Sequence, residues 1–177
     1  MPSEVVLYIA QTLDGYIARE DGSIDFLESI EGEGDNGYSA FLESIDTVVM
    51  GRDTYDQVRS FNVPFPYQGL ECYVFSRTRK GSDEYVTYVE GDVGEFIETL
   101  RAKRGKKIWL VGGAKLIEAF QGANSIDEYV VASLPYLLGS GIRLFQRKEP
   151  REERLELQKV ERFGEVVLLH YRSKGLY

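Results

Sequence analysis

Short runs of β-branched and aromatic residues alternate along this chain with stretches of helical periodicity, and glycines mark most of the joints. This alternation restricts the fold more than any other feature, because parallel strands need long crossovers between them and helices supply those crossovers. Residues 5–10 form an apolar run that stops at the turn Asp14-Gly15, and residues 38–44 read as a short helix feeding a strand at 47–50. A second helix starts over 53–58, and further strands are predicted at 71–75 and 85–89. Val93, Phe96, Ile97 and Leu100 recur at helical spacing, with Asp92 as the cap and Gly105 as the end. The run KIWLV at 107–111 is a buried strand entering Gly112-Gly113, and the helix after it carries Leu116, Ile117 and Phe120 on one face. Residues 128–134 form a strand, and 155–161 pair with 165–172 through a tight turn at Gly164. The expectation is an α/β chain with a mixed, mostly parallel central sheet flanked by helices, and an antiparallel C-terminal strand pair. With no repeat and no linker, residues 1–177 read as one domain.

Composition removes several kinds of chemistry. One cysteine, Cys72, excludes an internal disulfide, and with one histidine, His170, it leaves no set of Cys or His ligands for a metal. Cys72 and Trp109 read as core residues, and His170 as a residue of a C-terminal strand. Of the net charge of −8, residues 14–46 carry −9 and the rest of the chain +1. No basic footprint for nucleic acid is visible, and the twelve tyrosines have no basic residues interleaved with them as a base-stacking platform would. The opening MPSEVVLYIA is unlike a signal peptide, and no stretch approaches the ~18 apolar residues of a membrane span. A cytoplasmic protein with no membrane partner is expected.

The glycines separate into a decoy and a candidate site. A literal G-x-G-x-x-G occurs at Gly32, Gly34 and Gly37, but no strand precedes it, and Glu33 and Asp35 inside it would repel a diphosphate. Val111-Gly112-Gly113-Ala114 fits better. A hydrophobic strand runs into residues without bulk and then into a helix, whose N–H groups and dipole favour an anion, and Lys115 follows. Met50-Gly51-Arg52-Asp53-Thr54 repeats the arrangement with a fork donor and a hydroxyl, and Ser76-Arg77 ends a third strand. Each turn alone is also compatible with a plain strand-to-helix joint. Together they point to a nucleotide cofactor at the carboxyl ends of strands.

On these residues the chain resembles the dihydrofolate reductase-like superfamily, and within it the riboflavin-biosynthesis reductase C-terminal domain branch. The matching pieces are AQTLDGYIA (10–18), VVMGRDTY (48–55), VFSRT (74–78), IWLVGGAKLI (108–117) and IDEYVVASLPYLLGSGIRLF (126–145), in family order. The resemblance implies a dihydrofolate reductase-like fold, NADPH as hydride donor and a small heterocyclic substrate. It places Ala10 and Ile17 against the nicotinamide, Gly51, Arg52 and Thr54 at phosphates, and Ser76 and Arg77 near the 2′-phosphate. Val111, Gly112, Gly113, Ala114, Lys115, Leu116 and Ile117 would form the pyrophosphate turn.

The activity implied is that of a 5-amino-6-(5-phosphoribosylamino)uracil reductase. Reduction of dihydrofolate or another pteridine is the alternative, and a nucleotide-binding module without turnover is a third. The folate-type acid of the first helix is missing, since its place falls at Gly37 or Tyr38. A reduced imine-like carbon leaves a nitrogen to be protonated, for which Asp14, Asp25 and Asp35 are the candidate carboxylates. Asp14 ranks first for riboflavin-type chemistry and Asp35 for a pterin. The apolar run Val166 to Leu169 needs cover on both faces, and with the resemblance this leads to the expectation of a homodimer.

Overall fold

The apolar opening of the chain becomes the strand around which the rest is arranged. In the computed structural model, which describes residues 1–176, β1 spans Val5–Thr12, and Val5, Val6 and Leu7 are almost fully buried on both of its faces. Tyr16–Ala18 forms β2, and a single 3-10 turn occupies Asp25–Ser29. Then follow α1 (Tyr38–Glu43), β3 (Ile45–Gly51), α2 (Arg52–Ser60), β4 (Glu71–Phe75) and β5 (Thr87–Val89). The second half holds α3 (Val93–Arg101), β6 (Lys107–Gly112), α4 (Ala114–Gly122), β7 (Glu128–Leu134) and β8 (Ile142–Arg143). It ends with β9 (Glu153–Phe163) and β10 (Val166–Leu176).

Eight of these strands form one sheet in the order β5-β4-β3-β6-β1-β7-β10-β9. The pairings from β5 through to β7 are parallel, and β10 and β9 close the sheet in antiparallel fashion. On one face, α3 and α4 bury Ile97, Leu100, Ile117 and Phe120 against Val5, Leu7, Val49 and Leu110. On the other, α1 and α2 set Phe41, Tyr55 and Val58 against Val6, Val48, Met50 and Trp109. Trp109 is buried, and its indole N–H donates to the Tyr8 carbonyl at 3.0 Å, which satisfies the one polar atom of the ring. Cys72 lies in the same cluster, where burial pushes its thiol up to about 12. No helix among the described residues is long and apolar enough to cross a membrane.

The structure departs from the sequence expectation in several places, among them the C-terminal strands, which run longer than 155–161 and 165–172. β2 and β8 form a separate two-stranded sheet that periodicity could not reveal, since they are three and two residues long. β5 starts at Thr87 rather than at 85, because the N–H groups of Tyr85 and Val86 turn back onto the Asp83 carboxylate, both at 2.9 Å. α3 stops at Arg101, four residues before the glycine expected to end it, and Arg104 takes up the left-handed turn at φ 55°. Its start is as expected, with the Asp92 carboxylate accepting the Glu95 N–H at 2.9 Å.

Candidate active site

The chain leaves β3 through α2 towards β4 on one side, and leaves β6 through α4 towards β7 on the other. β3 and β6 are neighbours, so their carboxyl ends meet where the connections diverge, the place at which open α/β sheets bind ligands. Met50 stands opposite Gly112 across this pair. A Cβ added to Gly51 would lie 3.8 Å from both the Gly112 carbonyl oxygen and the Gly113 nitrogen, and one on Gly113 would lie 3.5 Å from the Thr54 hydroxyl. The two turns that sequence reasoning treated separately are one constellation.

Gly112 needs its lack of a side chain, because it sits at φ 133°, a region L-residues rarely enter. Gly51 and Gly113 are extended, and a Cβ on either would meet the protein only at ordinary contact distance. Packing therefore does not demand glycine at these two positions, and what their bareness leaves is backbone open to an approaching group. Neither α2 nor α4 has a side-chain cap on its first turn. The N–H groups of residues 52–54 and of Ala114, Lys115 and Leu116 are thus the free donors of two helix starts. Ile117 is not among them: its N–H bonds the Gly113 carbonyl at 3.0 Å and its side chain is fully buried, so it supports the turn from the core. Leu116 is likewise buried and offers backbone alone, while Val111 packs into the α1–α2 side of the core.

The cations around this cradle are exposed. Arg52 reaches only the neighbouring carboxylate of Asp53, at 3.2 Å, and Lys115 and Arg77 have no ion-pair partner among the described residues. Ser76 differs from the expectation. It is buried, and its hydroxyl oxygen accepts the N–H groups of Thr78 and Arg79 at 3.2 and 3.0 Å, holding its own loop. Sequence reasoning missed what ties that loop down: Arg79 grips Asp56 of α2 with two hydrogen bonds at 2.7 and 2.9 Å. Arg77 therefore stands on a loop anchored to the helix that starts with Arg52.

Ala10 lies near the end of β1 in a cluster with Phe26, Leu134 and Val166, whereas Ile17 of β2 packs into the α3–α4 side of the core. The structure gives the candidate acids other tasks than proton donation. Asp14 accepts the Thr12 hydroxyl at 2.6 Å and the N–H groups of Leu138 and Gly139 at 3.1 and 2.8 Å, and the Thr12 bond above all holds its carboxyl below the usual range. It clasps the loop after β7. Asp35 accepts the N–H groups of Ser39 and Gly37 at 2.9 and 3.0 Å, which caps α1 and lowers its carboxyl too. Asp25 is paired with Arg19 at 2.6 Å. In the folded chain all three carboxylates accept hydrogen bonds, which hold them below the usual carboxylate range.

The G-x-G-x-x-G decoy lies in the loop before α1, with no strand leading into it. His170 bonds Glu161 across β10 and β9 at 2.8 Å, remote in the sheet order from β3 and β6.

Sheet order, crossovers and glycine cradle define a protein of the dihydrofolate reductase-like fold. A solved structure of dihydrofolate reductase from Enterococcus faecalis complexed with NADP(H) superposes with a TM-score of 0.66 at 14% identity, over 97% of each chain. The chain belongs to the RibD C-terminal domain family, whose model matches residues 3–169. A protein from Shewanella sp. PV-4, provisionally described as a riboflavin biosynthesis protein, is 32% identical with a TM-score of 0.88, covering 99% of this chain and 100% of that one. The uncharacterized protein YwjB of Bacillus subtilis (strain 168) is 45% identical over 172 residues, 97% of this chain and 98% of that one.

Proposed function

We propose that this protein is an NADPH-dependent reductase of a small heterocycle, with 5-amino-6-(5-phosphoribosylamino)uracil as the first substrate to test. The observation that carries the reading is the meeting of two uncapped helix starts across Gly51, Gly112 and Gly113. That arrangement fits a dinucleotide: the diphosphate would take the N–H groups of 114–116 and of 52–54, and Arg52 and Lys115 would balance its charge. Arg77, on its anchored loop, favours the cofactor with the additional phosphate. When bound, NADPH supplies the hydride.

The remaining work falls to the chain. Ala10, a small residue near the end of β1, would lie beside the nicotinamide ring. Asp14 positions the 138–139 loop beside that strand end. Folate is the weaker substrate candidate, because the one acid of α1 is Glu43 at its exposed far end, and Asp35 is turned into the start of the helix.

The test is loss of NADPH absorbance with the uracil substrate, with dihydrofolate, and with neither. Oxidation dependent on the uracil compound supports the proposal. Oxidation with dihydrofolate alone moves the chain to the pteridine reductases, and NADPH binding without oxidation in any mixture reduces it to a binding module.

A further inference from the structure

Tyr8 and Ala10 are two residues apart on β1 and so share one face of the sheet, and Ala132 of β7 stands opposite Ala10. Both alanines lie in interior strands, yet each is only half-buried, so the sheet is partly open above them. Ala132 belongs to two clusters at once. It packs with the aromatic cluster that holds Tyr8, Tyr38, Phe41 and Trp109, and also with the cluster of Phe26, Leu27 and Ile30. The two alanines thus floor a groove between an aromatic wall and an apolar one.

The aromatic wall carries two unused polar atoms. Tyr8 stacks on Phe41 with ring centroids 4.0 Å apart, and Tyr8 and Tyr38 both stand edge-on to Trp109, at 5.9 and 6.1 Å. Packing of this kind uses the rings alone, and phenylalanine would serve it. The hydroxyls of Tyr8 and Tyr38 have no hydrogen-bond partner among the described residues, and neither atom is sealed in the core. Burial pushes both above the ordinary phenol value, so at neutral pH each keeps its proton and can both donate and accept. The charges of Asp35 and Glu161 also act on Tyr8, but both carboxylates are committed elsewhere. Asp35 accepts the N–H groups of Gly37 and Ser39, and Glu161 pairs with His170 and Lys159.

We infer that Tyr8 and Tyr38 select the substrate, their hydroxyls hydrogen-bonding the edge of a flat oxo-pyrimidine ring laid over Ala10 and Ala132. This placement rests on the reductase reading, which sets the nicotinamide beside Ala10. An oxo-pyrimidine edge alternates C=O and N–H groups, and a neutral hydroxyl can donate to the first or accept from the second. A 2,4-diamino edge, which takes up a proton on the ring, calls instead for an uncommitted carboxylate. The two carboxylates that act on Tyr8 are not available for that task.

Isothermal titration calorimetry of the full chain with 5,6-diaminouracil and with 2,4-diaminopyrimidine reads the groove without turnover. The uracil should bind the more tightly. Tyr8→Phe and Tyr38→Phe keep the rings and remove only the hydroxyls, so circular dichroism and Tm should match the parent chain. Each should weaken uracil binding about fivefold, the loss expected for one neutral hydrogen bond, and narrow the preference over the diaminopyrimidine. Affinity for NADPH, titrated separately, should not change in either variant. No uracil binding by the parent chain, tighter binding of the diaminopyrimidine, or parental uracil affinity in both folded variants would each overturn the inference. Hydroxyl-dependent uracil binding in a chain that does not bind NADPH would keep the groove and refute the reductase reading. NADPH oxidation with a heterocycle that is indifferent to both substitutions would do the reverse.

Discussion

Gly113 and Arg52 differ in how each would serve the proposed site. Arg52 is an exposed side chain whose present contact is a weak pair with Asp53, so little of the fold rests on it. Arg52→Ala should leave Tm nearly unchanged and weaken NADPH binding by about 1.5–3 kcal/mol, the range for a hydrogen bond to a charged group. Quenching of the single tryptophan, Trp109, gives the titration signal. Gly113 contributes by what it lacks. A Cβ there meets the Thr54 hydroxyl at 3.5 Å, which the fold tolerates, but a branched side chain would stand where the diphosphate approaches the backbone. Gly113→Val should lower Tm by no more than about 4 °C, yet abolish measurable NADPH binding. Normal binding by Gly113→Val would make the turn merely structural. At this scale the sequence identified residue types well and their partners poorly. The strand-to-helix turns at Gly51 and at Gly112-Gly113 were legible because local pattern decides them, whereas the partners of Asp14 and Ser76 are N–H groups that only the folded loops present.

Elements with a strong period were legible nearly to the residue. The strands at 71–75 and 128–134 and the Asp92 cap follow from apolar runs and a capping side chain that need no distant partner. β2 and β8 were not, because they pair with each other from opposite ends of the chain and are too short to show alternation. The turn before β5 is the element whose stability can be read from its titration. Burial pushes the Asp83 carboxyl up, but hydrogen bonds from Tyr55, from the N–H groups of Tyr85 and Val86 and from Tyr88 outweigh burial and hold it at about 2. The folded value lies below the unfolded one, so this stabilisation is fully present above ~4 and is lost as pH falls through about 2. The group is exposed, and solvent screening reduces the effect to about 1 kcal/mol. Denaturant titrations across this acid range should show the loss in the parent chain and a flatter curve in Asp83→Asn. Equal slopes would show that the hydrogen bonds around Asp83 add nothing.

For the molecule as a whole, the strand order decides function. The sequence shows three strand ends with phosphate-suited chemistry, but only the sheet makes β3 and β6 neighbours and turns two ordinary joints into one cradle. That adjacency was out of reach of local pattern, because the residues it joins are separated by the whole of β4, β5 and α3. Amide hydrogen exchange with and without NADPH tests this most directly, since the donors assigned to the diphosphate are backbone N–H groups. NADPH should slow exchange at residues 52–54 and 114–116 together and leave the glycine-rich loop at 32–37 unchanged. Protection confined to 32–37, or none at either helix start under saturating NADPH, would contradict the account.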